Sequence, residues 1–486
     1  MWNQWFPSAG LSAKGNSEMD LLDSRRPVYR TILFLAWPAI LEQILQTLVG
    51  FVDTAMVGSL GATATAGIAV NSSTVWLIGG VMNSVATGFA VLVARNIGAK
   101  DYAKARDLAK QCLVWTVVFA LCLSAVMVFV GRNLAIWMNA DPEVVVQSRL
   151  YMKWIARSYL ASFLVVSCSA VLRCSGDTRT PLIANTMNNV INVLLNFLLI
   201  FPTRNLIVLG KKFHVPGAGL GVEGAAIATA VSAVISASVL VTVCLVKNSP
   251  SRIDVRTSWK PRFDALSVSA RIGTPVLLER VTLSSGQIAL TAIVTSIGTS
   301  ALAAHYVAIT AESITYLPTV GFAVAATTLV AQSLGAQDRE LAKRFARTST
   351  LFGTLTISVM GVVLFVFAPQ LMGIFSDVPE VIGMGARALR IEAFAEPFFG
   401  MSMLVAGILR GAGDTKWPFY ISVIGMWIVR IPFAWVLTRT TSLGLSGAWL
   451  AMMTDLIVRG IICLVRLLRG KWLYAFDGKK AAAGLT

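Results

Sequence analysis

The pattern that most constrains this chain is that it is written twice. Pro38, Leu41 and Glu42 return 237 positions later as Pro275, Leu278 and Glu279. Gly61 returns as Gly298, and Ala94, Gly98, Ala99 and Asp101 return as Ala331, Gly335, Ala336 and Asp338. Pro142-Glu143-Val144 is answered by Pro379-Glu380-Val381, Leu172-Arg173 by Leu409-Arg410, Gly176-Asp177-Thr178 by Gly413-Asp414-Thr415, and Pro181 by Pro418. The spacing never slips between the first and last of these pairs, so both halves share one order of elements. In an apolar chain such a repeat points to a two-lobed membrane protein with its site between the lobes.

The chain is apolar enough for that reading. Of its 486 residues 56% are hydrophobic and 13% charged, against about 25% charged in soluble proteins. Runs such as 113–131, 221–246 and 351–372 approach or exceed the roughly 20 residues that cross a bilayer. They do not alternate apolar with polar residues, which excludes a β-barrel. Hydropathy divides the chain into twelve spans, near 31–57, 66–94, 108–131, 145–172, 180–201, 221–246, 268–297, 301–331, 346–372, 383–409, 417–438 and 444–468. The expected fold is an all-α membrane protein, with twelve transmembrane helices in two parallel six-helix repeats around a central cleft. Six spans is an even number, so both lobes enter from the same side and are related by an axis along the membrane normal. The expected units are a cytoplasmic tail 1–30, a first lobe 31–246, a linker 247–267, a second lobe 268–468 and a tail 469–486. The first lobe carries extra residues in an external loop around Arg204–Gly219.

A formal charge of +17 invites a nucleic-acid reading, and the placement of the charges answers it. Lys100, Lys104, Arg106, Lys110, Lys247, Arg252, Lys260, Arg262, Arg339, Lys343, Arg344, Arg469 and Lys471 fall on one side of the twelve spans. The other side has few, among them Arg132, Arg204, Arg387 and Arg439. That asymmetry is the positive-inside rule, with both termini cytoplasmic. A bacterial inner-membrane monomer is expected, with a small-molecule cargo, a lipid bilayer around it and no nucleic-acid partner. Cys112, Cys122, Cys168, Cys174, Cys244 and Cys463 have no CxxC spacing and read as small buried hydrophobes. His214 and His305 are too few for a metal cluster. The first 27 residues hold Trp2, Trp5 and Phe6 without an apolar core, and are expected to be a tail and not a signal peptide.

Ionisable groups inside spans are costly and usually face an interior or a cavity. The first span holds Glu42, Gln46 and Asp53, which helical geometry sets along one face. A carboxylate in a poorly solvated cleft is what a proton or Na⁺ carrier needs; a structural carboxylate tied to an Asn is the competing reading. The fifth span carries Asn185, Asn188, Asn189, Asn192 and Asn196 as one polar stripe. That stripe is either interhelical glue or a source of carbonyl oxygens for a hard cation. The second half differs: Leu290 stands where Asp53 would repeat, and Leu283 where Gln46 would. It offers instead Glu279, His305 with Glu312, and Glu392 with Glu396. This asymmetry points to cation coupling in one lobe and cargo contacts in the other. Arg430 reads as structural, paired with a carboxylate or helix-end carbonyls. The repeated Gly-Asp-Thr elements read as helix caps, with Arg173 and Arg410 meeting carbonyls. No nucleophile–base pair, metal spacing or phosphate loop appears, so an enzyme is disfavoured and no cofactor is expected.

Phe51-Val52-Asp53-Thr54-Ala55-Met56-Val57-Gly58 resembles the first-span signature of the multidrug and toxic compound extrusion (MATE) family. Ala303-Ala304-His305, Leu334-Gly335-Ala336 and Leu409-Arg410-Gly411-Ala412-Gly413-Asp414-Thr415 sit where that family has similar motifs. The resemblance covers about residues 30 to 470. It implies a V-shaped antiporter that exports organic compounds, often cationic and amphipathic, against Na⁺ or H⁺ by rocking of its lobes. Carried over, Asp53 matches the family's first-span cation-site Asp, and Gln46 a neighbouring Gln. Asn192 and Asn196 match a fifth-span Asn-x-x-x-Asp pair whose second member is here Asn, which leaves Na⁺ and H⁺ both open. Thr229 matches a sixth-span Thr, and Glu279 the seventh-span acid. Phe399 stands near the tenth-span Asp of NorM proper, with Glu396 one turn earlier, so the chain looks nearer the general bacterial branch. Asp53, Gln46, Asn192, Asn196 and Thr229 are thus expected at the coupling site, and Glu42, Glu279, His305, Glu312 and Glu396 at the cargo. Apart from a Na⁺ at Asp53 no metal is expected. The alternative is a lipid-linked oligosaccharide flippase of the same superfamily.

Overall fold

The computed structural model describes residues 21–23, 25–208, 211–254 and 257–476; Trp2, Trp5 and Phe6 lie outside them. The first lobe is six helices: α1 (Val28–Gly58), α2 (Ala62–Gly98), α3 (Tyr102–Trp137), α4 (Pro142–Cys174), α5 (Arg179–Leu199) and α6 (Gly221–Val246). The second lobe repeats them as α7 (Phe263–Thr295), α8 (Thr299–Glu312 and Leu317–Gly335), α9 (Arg339–Val366), α10 (Pro379–Ala393 and Glu396–Gly411), α11 (Lys416–Thr440) and α12 (Leu445–Leu468). Among the described residues, ten helices are long and apolar enough to cross a membrane, or eleven if the bent pair in α10 is one span. The full-length α7 falls short because Arg271, Glu279, Arg280 and Gln287 dilute its apolar run.

The repeat is also a repeat of backbone conformation. Asp101 caps α3 by accepting from the Lys104 amide at 3.1 Å, and Asp338 caps α9 by accepting from the Leu341 amide at 2.8 Å. Each cap follows a residue in the left-handed region, Lys100 at φ 60° and Gln337 at φ 61°. Such carboxylates satisfy amide groups that a helix start leaves open.

The halves depart from each other in continuity. The first-lobe helices α2, α4 and α5 run unbroken, whereas α8 is interrupted between Glu312 and Leu317, and α10 bends by 58° between Ala393 and Glu396. A π-helical stretch, Ile424–Arg430, lies within α11. Pro38 and Pro275 are accommodated inside continuous helices, so the breaks fall elsewhere than at those two prolines.

The lobes meet along a two-fold seam. α8 packs on α1 and α2, and α7 packs on α2. Ile32, Leu35 and Ala36 of α1 share one core with Phe322, Ala325 and Ala326 of α8. A side chain added at Gly98 would collide with the Gln332 carbonyl, and one at Gly335 with the Arg95 carbonyl. These glycines, related by the repeat, let the two backbones touch beside the Lys/Arg-rich loops. On the same side the connector from Lys247 to Arg262 is tied to α3. Gln111 donates to the Lys260 carbonyl (3.0 Å) and accepts from the Arg262 amide (3.0 Å), while Trp115 donates to the Arg262 carbonyl (3.2 Å). Beyond the membrane, Asp264 is held below the usual carboxylate range by its hydrogen bonds from Arg262. The additional loop of the first lobe is an antiparallel hairpin, β1 (Pro202–Val208) with β2 (Lys211–Ala218). Five of the cysteines are buried, whereas Cys122 is exposed, and none is in a disulfide.

Candidate functional site

Asp53 lies in the C-terminal half of α1, half-buried against α5 and α6. Asn196 donates to Asp53 Oδ1 at 2.7 Å. With its amide nitrogen turned towards α1, Asn192 donates to both carboxylate oxygens, at 3.0 and 3.1 Å, and its own oxygen accepts from Thr229 at 3.3 Å. In the opposite orientation the Asn192 oxygen accepts from Asn196 at 3.1 Å, and three oxygens then converge, two from Asp53 and one from Asn192. The first arrangement suits an ionised carboxylate. The second suits a carboxylic acid or a bound cation, because each supplies the positive partner that the converging oxygens need. Among the described residues no Lys or Arg pairs with Asp53.

Deeper in the membrane, each lobe holds the same ion pair. Arg173 at the end of α4 bonds Glu42 of α1. Arg410 at the end of α10 bonds Glu279 of α7, at 2.9 and 3.1 Å to its two oxygens. All four residues obey the repeat. Asn185 adds a bond to Glu42 at 2.7 Å, so the stripe on α5 divides: Asn185 serves Glu42, while Asn192 and Asn196 serve Asp53.

The broken helices of the second lobe enclose a buried charge cluster. Arg430, in the π-helical stretch, and Arg459 both bond Asp455, through their Nε atoms at 2.7 Å. Glu312, Glu392 and Glu396 are buried nearby, and Thr315 donates to Glu396 at 2.6 Å. Among the described residues, neither oxygen of Glu392 and neither ring nitrogen of His305 has a hydrogen-bond partner. His305 packs edge-on against Trp449, with ring centroids 5.8 Å apart.

Between the lobes lies a cavity of about 840 Å³. Its first-lobe wall includes Gln43, Thr47, Trp76, Asn83 and Arg173; its second-lobe wall includes Glu279, Arg280, Tyr316, Phe399, Arg410 and Arg459. The Arg280 guanidinium lies over the Trp76 ring, 5.9 Å from its centroid, bridging the two lobes.

A profile of the MatE family matches residues 38–198 and again residues 275–436, the two halves of the duplication. The chain belongs to the MatE family. Its relatives are MATE multidrug efflux transporters of the membrane, not enzymes. The "Probable multidrug resistance protein NorM" of Thermotoga maritima is 29% identical over 445 residues, 92% of this chain and 93% of that one. The "Multidrug resistance protein MdtK" of Edwardsiella ictaluri is 27% identical, over 91% of this chain and 95% of its own length. The fold is that of solved MATE structures. One described as an "outward-facing conformation of a multidrug resistance MATE family transporter of the MOP superfamily" superposes with a TM-score of 0.84 at 20% identity, covering 93% of this chain and 98% of that one.

Within this MATE fold the residues singled out in the sequence sort themselves by contact. Asp53, Asn192, Asn196 and Thr229 come together in one cluster. Gln46 is exposed and makes none of its hydrogen bonds. Of Glu42, Glu279, His305, Glu312 and Glu396, placed at the cargo by the sequence, only Glu279 lines the cavity. Glu42 is turned to Arg173, and His305, Glu312 and Glu396 are buried within the second lobe. Arg173 and Arg410 bond carboxylates, not the helix-end carbonyls expected for them. Arg430 does pair with a carboxylate, Asp455. What the sequence reading passed over is arginine: Arg280 and Arg459 stand inside spans, and Arg173 repeats together with Glu42. The paired recurrence of Glu and Arg at one offset was the available signal.

Proposed function

We propose that this MATE transporter is a secondary antiporter that exports amphipathic organic compounds in exchange for Na⁺ or H⁺, by rocking of its lobes about the seam. The observation that carries the reading is the Asp53 cluster: an in-membrane carboxylate matched by no fixed cation among the described residues and surrounded by amide and hydroxyl groups. A buried charge without a counter-charge is costly, so Asp53 favours taking up a mobile cation. Either amide face of Asn192 can be presented, so the same residues accommodate both charge states. The contact of Gly98 and Gly335 beside the basic loops fits a state closed towards the cytoplasm, with both termini on that side of a bacterial inner membrane. Cargo and cation then compete through their differing affinities for the two states. The resemblance implies a cargo that is often cationic, whereas Glu42 and Glu279 are already engaged by arginines.

The test is dye transport in proteoliposomes under separately imposed Na⁺ and proton gradients, with wild type beside Asp53→Asn. The expected outcome is gradient-driven transport that falls to the liposome background in the variant. Folded wild-type protein that moves neither anionic nor cationic dyes under either gradient would sink the antiport reading. The alternative, a lipid-linked oligosaccharide flippase, draws on one observation, the arginines of the cavity wall.

A further inference from the structure

We propose that the cavity between the lobes takes an amphipathic organic anion: a carboxylate- or phosphate-like head group meets Arg280, and an aromatic or aliphatic body lies on Trp76, Tyr316 and Phe399. This deepens the antiporter reading by naming the class of cargo, and rests on that reading for the cavity's role in transport.

The argument is one of charge placement. The wall of the cavity carries four arginines, at positions 173, 280, 410 and 459, and one carboxylate, Glu279. Arg173, Arg410 and Arg459 each have a carboxylate partner, in Glu42, Glu279 and Asp455. Arg280 forms no ion pair among the described residues; its guanidinium lies over the electron-rich face of Trp76. A guanidinium offers five N–H donors in a planar fork that matches carboxylate and phosphate oxygens. Within a cleft of low dielectric that attraction is screened far less than in water.

A cationic cargo meets the opposite situation. The single wall carboxylate already accepts from Arg410 through both of its oxygens, and only 9% of its side chain is exposed. A cation would have to displace an arginine and would still face Arg280. The asymmetry is local to one lobe, since the repeat places neutral Gln43 opposite Arg280 on the same cavity. Gly80 of α2 leaves room for the stem of Arg280, whose Cγ would lie 3.3 Å from any Cβ there. The head group is thereby set on the α7 side, with Trp76 of α2 as a flat apolar neighbour.

The test is equilibrium binding to the full chain in nanodiscs of neutral phosphatidylcholine, with empty discs as the blank. Fluorescence anisotropy compares two dyes built on the same xanthene ring system, anionic fluorescein and cationic rhodamine 123. Fluorescein is expected to bind at least about tenfold more tightly, the scale of one charge-assisted hydrogen-bonded contact. Arg280→Gln should weaken fluorescein about tenfold and leave rhodamine 123 binding no weaker, while Arg280→Lys keeps most of the affinity. Tighter binding of rhodamine 123, fluorescein affinity untouched by Arg280→Gln, or no binding of either dye to folded protein would each overturn the proposal. Competition with short-chain phosphatidylglycerol separates the two sources of such an anion. Displacement of fluorescein by that lipid assigns the site to a lipid head group, and failure to displace assigns it to a soluble anion. Binding needs no gradient, so intact fluorescein binding without gradient-driven transport would defeat the antiporter reading and leave this one standing.

Discussion

The two lobes share a backbone and differ in where they keep unmatched polarity. Both have an aspartate-capped third helix, both have the Glu–Arg pair at one offset, and both use a glycine to touch the other across the seam. In the first lobe α2, α4 and α5 run whole, and Asp53, an acid inside a span that pairs with no cation among the described residues, sits among neutral amides. In the second, Leu290, Val429 and Phe433 stand where Asp53, Asn192 and Asn196 would repeat. There the corresponding helices are broken, bent or π-helical, and the breaks coincide with Glu312, Glu392, Glu396 and Arg430. Duplication thus preserved what holds a lobe together and let go of what binds. Interrupted helices expose backbone groups and helix ends to a polar interior, which an unbroken helix cannot do.

The strongest way to break this comparison is to move the acid. In Asp53→Leu combined with Leu290→Asp, the carboxylate leaves its amide ring for an apolar, fully buried site. Gradient-driven transport in proteoliposomes is expected to stay at background; recovery would mean that the lobes are interchangeable and that the amides are incidental.

A second test asks whether the shared pairs are equal. Glu42→Gln and Glu279→Gln each leave an arginine without its carboxylate. Each should cost about 1.5–3 kcal/mol of stability, read as a lower melting temperature of the purified protein. The loss should be slightly larger at Glu42, because the weaker amide oxygen would then have to serve both Arg173 and Asn185, which share Glu42 Oε1. A clear loss in one lobe alone would show that only one pair is structural.

The smallest expected effect is at Glu392. Its carboxyl group is fully buried and has no hydrogen-bond partner among the described residues. Replacing it with an apolar chain of similar length, Glu392→Met, should leave stability unchanged or raise it by about 1 kcal/mol. A large drop in the melting temperature would instead identify Glu392 as a needed counter-charge to Arg430, and the second lobe as balanced internally.

Much of this was legible in the sequence where the signal is periodic. The constant offset revealed the lobes, the length of the apolar runs revealed the helices, and a helical repeat of 3.6 residues placed Asn192 and Asn196 on one face. The same periodicity joined Gln46 to Asp53, and there it misled: sharing a face of α1 does not make two residues share a neighbour. It also merged Asn185 with Asn192 and Asn196, although α5 offers them to different acids. The breaks in α8 and α10 were only partly legible: Pro318 and Pro397 stand second in the helices that resume after them, but Pro38 and Pro275 give the same signal inside helices that stay unbroken.

The sequence by itself determined that this chain is a duplicated helical membrane protein, because hydropathy and repetition are properties of the chain's own order. It also determined that Asp53 has no counterpart in the second half. Only the tertiary structure decided which charges are already spoken for. Glu42 meets Arg173 across 131 positions, and Glu279 meets Arg410 across the same interval, a separation at which local periodicity carries no information. An electrostatic partner is chosen by distance in space, so the sign of the cavity could be read only after the helices were packed.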